Sequence, residues 1–268
     1  MKADDESEVV ELLEAGSVAS RLQVADRLKR LAMWHAVNGA LALLDSTGGG
    51  WPEIHRSWLY RSLGLRIIIS EFQKGRVLGP SCPVKSLGNE ATPTALCLMY
   101  AIIFRRELEL RVFGDSLRAM IMDNEVVREE FWQSHPLEPF TVQLLALWKG
   151  EVLDVGRDLG RSLGPYEAVF KAWAKPAADI HGAIQAACNF HCERIEDAPN
   201  GFRPEFSNPP FDLLPAEILA IYYVRQTLGL ETPVVDHPLL ALPFGLPIGT
   251  PSDVYDEFLD RTESATLP

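Results

Sequence analysis

Cysteine is scarce in this chain, with Cys82, Cys97, Cys188 and Cys192 the four present among 268 residues. They are too few and too scattered for a disulfide scaffold, so a reducing, cytoplasmic setting is expected. No apolar run approaches the roughly eighteen residues of a membrane span. The first residues, MKADDESEVVELLEAG, lack the basic region and apolar core of a signal peptide, so no leader is expected. Basic residues are also in deficit: 25 Lys and Arg stand against 37 Asp and Glu, a formal net charge of -12. A field of that sign repels phosphate backbones and attracts basic proteins, so the expected partner is a protein and not a nucleic acid. Alternating strand patterns, fixed-period repeats and low-complexity tracts are nearly or wholly missing.

What is present is helical punctuation. The clearest stretch is 209–247, PPFDLLPAEILAIYYVRQTLGLETPVVDHPLLALPFGLP. Asp212 is placed to cap a helix, Pro215 suits its first turn, and Glu217 lies near its positive end. Leu214, Ile218, Ile221, Tyr222 and Arg225 follow at helical spacing, Gly229 supplies a stop and Pro233 forbids continuation. Val234, Val235, Leu239, Leu240, Leu242 and Phe244 are then interrupted by Pro238, Pro243 and Pro247, which predicts an apolar strap laid over helices.

The remaining segments read the same way. A short helix is expected over 6–15, and a longer one capped by Ser17 carries Val18, Leu22, Ala25, Leu28, Ala32, His35, Ala36 and Leu43 inward until 47–50 end it. A helix from about 52 to 75 is followed by a loop over 77–92, after which Pro93 starts a strongly apolar and therefore central helix. Residues 107–113 alternate through Leu108, Leu110 and Val112, and fit either a strand or the tail of the preceding helix. Further helices are expected over 116–122, 125–134, 139–149, 166–174, 176–196 and 252–263, the last capped by Ser252 or Asp253, with a loop over 197–210. The fold class is all-α: one helical domain over 1–268, with 1–78 and 93–268 as the alternative division into N-terminal helices and main body.

Three groups of residues invite a chemical reading. Phe113, Gly114, Asp115, Ser116 and Leu117 spell the nucleophile block of the GDSL esterases, which needs Ser116 on a strand-to-helix turn with a base in reach. The competing reading is that Gly114 ends one helix and Asp115 or Ser116 caps the next. The family's later Asp and His, three residues apart, have no match: Asp236 and His237 are adjacent, and Asp179 and His181 are two apart. His181, Cys188, His191 and Cys192 fall on one helix at spacings that could offer metal ligands, against the plainer reading of core cysteines and a satisfied histidine. Carboxylates crowd both ends of the chain, and Asp4, Asp5, Glu8, Asp253, Asp256, Glu257 and Asp260 are the candidate contacts for a basic partner, against the reading of a merely solvated face. The six tryptophans, Trp34, Trp51, Trp58, Trp132, Trp148 and Trp173, sit mostly at apolar helical positions and read as core. No catalytic residue, metal ligand or cofactor is assigned.

The segments AACNFHCERIED, Pro-Pro-Phe-Asp, LLPAEILAIYYVRQTLGL and VVDHPLLALP together resemble bacterial immunity proteins of polymorphic toxin systems, most nearly the all-α group called immunity protein 49. The likeness covers about the C-terminal third. It implies an inhibitor that binds a secreted antibacterial toxin, such as a nuclease effector of type VI secretion, and works without chemistry of its own. Two other classes compete: a secretion chaperone or adaptor that holds an effector before export, and a GDSL-like serine hydrolase built on Ser116.

Overall fold

The Ser17 hydroxyl oxygen accepts from the backbone N–H of Ser20, so it caps the long second helix as its position predicts. The computed structural model describes residues 2–45, 50–78, 84, 86–196, 204–241 and 254–267. Among these the helices are α1 (Lys2–Ala15), α2 (Val18–Leu44), α3 (Gly50–Leu78), α4 (Gly88–Phe104), α5 (Glu107–Met122), α6 (Glu129–Trp132) and α7 (Leu137–Trp148). They continue as α8 (Val155–Leu159), a 3₁₀ turn (Gly164–Tyr166), α9 (Glu167–Lys171), α10 (Ala177–Glu193), α11 (Ala216–Thr227), α12 (Pro238–Ala241) and α13 (Glu257–Thr266). No strand occurs among the described residues, and the fold is all-α. The chain divides into two compact units, Met1–Glu90 with Pro251–Pro268, and Ala91–Thr250.

In the first unit α2 and α3 form an antiparallel pair, since Arg21 meets Glu71 while His35 meets Glu53. At about 1.5 Å per residue each helix is roughly 40 Å long. Val24, Ala25, Leu28, Leu31 and Ala32 of α2 pack against Tyr60, Leu63 and Ile67 of α3, with Val9 of α1 and Leu259 of α13 completing the core. Where α2 and α3 meet near the turn, a Cβ on Gly39 would come within 2.9 Å of the Gly50 carbonyl and of Ile54, so glycine permits the contact. The C-terminal helix thus packs with α1 and α3. Its cap is Asp256, which accepts from the Leu259 N–H; Ser252 and Asp253 lie outside the described residues.

In the second unit α4 is buried nearly all round, from Ala91 through Leu98, Met99 and Tyr100 to Ile103, as its composition predicts. It starts earlier than Pro93, at Gly88. The strand option for 107–113 is replaced by helix: α5 begins at Glu107 and runs unbroken through the FGDSL block. The break between α4 and α5 is made by Arg105, whose φ of 55° is left-handed, while the Arg106 N–H bonds back to the Ala101 carbonyl. Sequence reasoning looks for glycine at such a stop, and arginine concealed it. Gly114 neither ends a helix nor precedes a cap; it lies inside α5, facing Leu145 of α7.

α11 starts at Ala216, and its capping position is Pro215 without a side-chain bond, so Asp212 is not the cap. The chain reaches the helix through a turn in which the Leu214 N–H bonds to the Pro210 carbonyl. Past Gly229, which takes a φ of 71°, the strap runs without regular structure to α12, burying Val235 and Leu239 but leaving Val234 94% exposed. Residues 242–250 of the strap, with Leu242 and Phe244, are outside the described residues.

Candidate protein-binding face and a buried polar cluster

The described candidate carboxylates of the two chain ends all lie in the first unit, where α1 packs against α13 and Val9, Leu12, Leu13, Phe258 and Leu259 belong to one apolar core. Three of them serve the fold. Asp5 is nearly buried and holds Arg30 through Oδ1 at 2.8 and 3.0 Å. Glu8 pairs with Arg27. Asp256 caps α13 with Oδ1 and takes the Tyr60 hydroxyl at 3.2 Å and Arg56 Nε at 3.4 Å with Oδ2. Asp4, Glu257 and Asp260 are exposed, and Asp253 is outside the described residues.

Most of the described cations of this unit are engaged in internal pairs. Arg21 and Lys74 both bind the buried Glu71, Lys29 binds Glu90, and Arg66 reaches Glu263 at 2.7 Å. Burial works against ionisation of Glu71, but its two cationic partners outweigh it and hold the carboxyl below its ordinary range. Among the described residues of the unit the exposed carboxylates are therefore Asp4, Glu11, Glu14, Asp26, Asp45, Glu257 and Asp260, against the exposed cations Arg30, Arg76 and Arg261. Exposed carboxylates therefore outnumber exposed cations among the described residues of this unit, because most of its arginines and lysines are engaged by carboxylates of the same unit. Sequence counts of charge show the excess but not this sorting.

The second unit holds a polar cluster that sequence reasoning missed. Glu138 of α7 and Glu217 of α11 are fully buried, and Glu205, in the segment before α11, is 2% exposed. The Thr92 hydroxyl donates to Glu138, His191 Nδ1 shares a 2.8 Å hydrogen bond with Glu217 Oε1, and Arg194 Nε lies 3.7 Å from Glu205. Phe206 stacks on His191 with ring centroids 4.0 Å apart. Among the described residues Glu138 Oε2, Glu217 Oε2 and both Glu205 oxygens find no hydrogen-bond partner. Burial pushes Glu138 up to about 8 and Glu205 up to about 7, with Arg194 pulling the latter back. The Tyr166 hydroxyl is pushed up by burial and by the three glutamates. Such a cluster can keep a carboxyl protonated near neutral pH and can tie α7, α10 and α11 together. The signal was available for Glu217, since it shares a helix face with Leu214 and Ile221, but a glutamate in a first turn also satisfies the helix dipole in water.

The other sequence motifs are resolved by burial. Ser116 is 6% exposed in the middle of α5, not on a strand-to-helix turn. His237 is engaged at both ring nitrogens, with Asn189 Oδ1 at 3.1 Å and the Leu239 N–H at 3.2 Å. Cys188 and His191 point into the core whereas Cys192 is exposed, so the ligand spacing on α10 does not gather these groups on one side. Burial pushes the Cys188 thiol up to about 12. Among the described residues no group of three or more His, Cys, Asp or Glu side chains is arranged to hold a metal ion. Trp58, Trp132 and Trp173 are buried, while Trp34, Trp51 and Trp148 are half-buried. No described helix is long and apolar enough to cross a membrane. Comparison with protein-family models, with curated proteins and with solved structures finds no match to this chain.

Proposed function

We propose that this chain is an immunity-type inhibitor, which binds a cognate secreted antibacterial toxin through the acidic face built by α1 and α13 and neutralises it without chemistry of its own. The observation that carries this reading is the sorting of charge in the first unit: cations clamp buried or half-buried carboxylates, and the remaining carboxylates face outward. Long-range attraction of that kind speeds docking on a basic surface. A nuclease with a basic substrate groove fits it, since carboxylates can then stand where phosphates would.

The test is co-expression of the chain with the toxin domain encoded beside it, scored by survival and by co-purification. Reversing Asp4, Glu257 and Asp260 to lysine should slow association about tenfold or more at low salt and flatten its salt dependence. Affinity and salt dependence that do not change on reversal would sink the electrostatic reading. A stable complex without protection would instead assign the chain to chaperones that hold an effector before export.

A further inference from the structure

The carboxyls of Glu138, Glu205 and Glu217 converge from three elements of the second unit: α7, the segment before α11, and the first turn of α11. All three side chains are buried, and among the described residues four of their six oxygens find no hydrogen-bond partner. Tyr166, at the end of the 3₁₀ turn, directs a fully buried and likewise unpartnered hydroxyl at the same three carboxyls.

An unpaired polar atom in the interior is costly, and native folds contain few of them. Several gathered around one hydroxyl mark a place where the protein alone does not supply the donors. Protonation removes charge from the cluster without completing it. The carbonyl oxygen of a carboxylic acid remains an acceptor, and its O–H becomes one more group to satisfy.

The chemistry of the set selects the ligand. It is rich in acceptors and poor in cations: Arg194 Nε stands 3.7 Å from Glu205, beyond hydrogen-bond distance, and His191 is already paired with Glu217 at 2.8 Å. The other groups that face the three carboxyls are Tyr166, the thiols of Cys188 and Cys192, and the neutral Thr92 of α4. A ligand that fits therefore brings positive charge and more than one N–H donor. Among the described residues no three His, Cys, Asp or Glu side chains are arranged to hold a metal ion, so these donors must be spread more widely than a bare ion allows. Aromatic rings line the sides, with Phe140 stacked on Tyr166 at 4.1 Å between centroids and Phe206 on His191 at 4.0 Å, which suits a cation with a short apolar part.

One wall is not helical. Glu205 and Phe206 lie in a turn that is tied to α10 by a 3.0 Å bond from the Phe206 N–H to the Arg194 carbonyl. Entry on this side needs the displacement of a short segment and not of a helix.

We propose that Glu138, Glu205, Glu217 and Tyr166 form an interior binding site for a small organic ammonium cation, whose N–H groups donate to the unpaired oxygens. Binding exchanges protons for the cation: burial holds Glu138 at about 8 and Glu205 at about 7, so both give up a proton close to neutral pH. The site lies in the second unit and does not depend on the inhibitor reading.

Melting curves of the whole protein test this in methylammonium chloride, with tetramethylammonium chloride as the same charge without N–H groups and sodium chloride as the metal-ion control. At about pH 8, methylammonium at about 100 mM should raise the midpoint by about 2–4 °C above either control. At about pH 6, where protons occupy the carboxyls, the gain should fall below about 1 °C. Glu205→Gln keeps the shape and removes the charge, and should abolish the gain, whereas Asp260→Asn at an exposed carboxylate should keep it. Should Glu205→Gln not fold, Tyr166→Phe, which retains the stack on Phe140, provides the same comparison and should at least halve the gain. An equal rise in tetramethylammonium, an equal gain at the two pH values, or a full gain kept by the site variant overturns the proposal. Equal midpoints in all three salts also overturn it, and would assign the unpaired oxygens to internal water.

Discussion

Arg225 shows how much a single buried residue can hold. It is fully buried, and its guanidinium donates to the carbonyls of Trp173, Lys175 and Glu231 and stacks over the Trp173 ring at 5.7 Å. Those carbonyls belong to the turn between α9 and α10 and to the strap beyond α11, so one side chain ties two segments that have no regular structure of their own. Arg225→Met keeps the bulk but takes the donor from three carbonyls, that of Trp173 in a buried bond and those of Lys175 and Glu231 in half-buried ones, and should destabilise the protein by about 1–3 kcal/mol in urea unfolding. Arg225→Lys should recover part of the loss, because an ammonium cannot reach all three carbonyls in the plane of a guanidinium. A midpoint unchanged in Arg225→Met would show that water serves these carbonyls instead.

Helix ends decide how the elements assemble. α13 is short and charged, with a single turn of apolar residues to offer, and Asp256 fixes its start while binding Tyr60 and Arg56 of α3. The substitution Asp256→Ala removes the cap and both contacts at once; it should cost about 1–2 kcal/mol and expose the amides of α13 to hydrogen exchange before those of α2. Protection of α13 equal to the parent's would mean that Phe258 and Leu259 hold it without the cap. The α4 to α5 break makes the complementary point. Arg105 takes a conformation that disfavours its side chain, and its guanidinium bonds the Tyr223 hydroxyl and lies over that ring. A contact from α11, far along the chain, holds a turn that local preference would not choose.

At the scale of the whole molecule the two units should respond to pH with opposite sign. In the first, burial lowers His35 below its ordinary value, with Glu53 opposing, and Glu71 is held low by its cations. Stability from His35 is therefore present above about pH 6.5 and lost as pH falls below it. In the second unit Glu138 and Glu205 are raised to about 8 and about 7 by burial. Their contribution is present below about pH 4.5 and lost as pH rises towards 7 and 8. Asp212, raised by burial, acts in the same sense; His135, lowered by burial, acts against it. Hydrogen exchange compared at equal intrinsic rate should show α2 and α3 better protected at pH 8 than at pH 5.5, and α7, α10 and α11 the reverse. Glu138→Gln, which cannot ionise, should flatten the profile of the second unit and leave the first unchanged. Parallel changes in both units, or an unaltered profile in Glu138→Gln, would contradict the assignment of these groups.

Local pattern by itself determined the helical class, the start of α2 at Ser17, the burial of α4 and the apolar face of α11 that carries Ile218, Ile221 and Arg225. Those features depend on residues within a few turns of each other, through side-chain caps and the 3.6-residue period. Only the tertiary structure decided that α13 packs with α1 and α3, that Asp5, Glu8 and Asp256 are held by arginines while Asp4, Glu257 and Asp260 face outward, and that Glu138, Glu205 and Glu217 are buried. Each of these is a choice among partners tens to hundreds of residues apart. The free energy of an ion pair or a buried carboxyl depends on what packs around it, and a linear sequence does not carry that information.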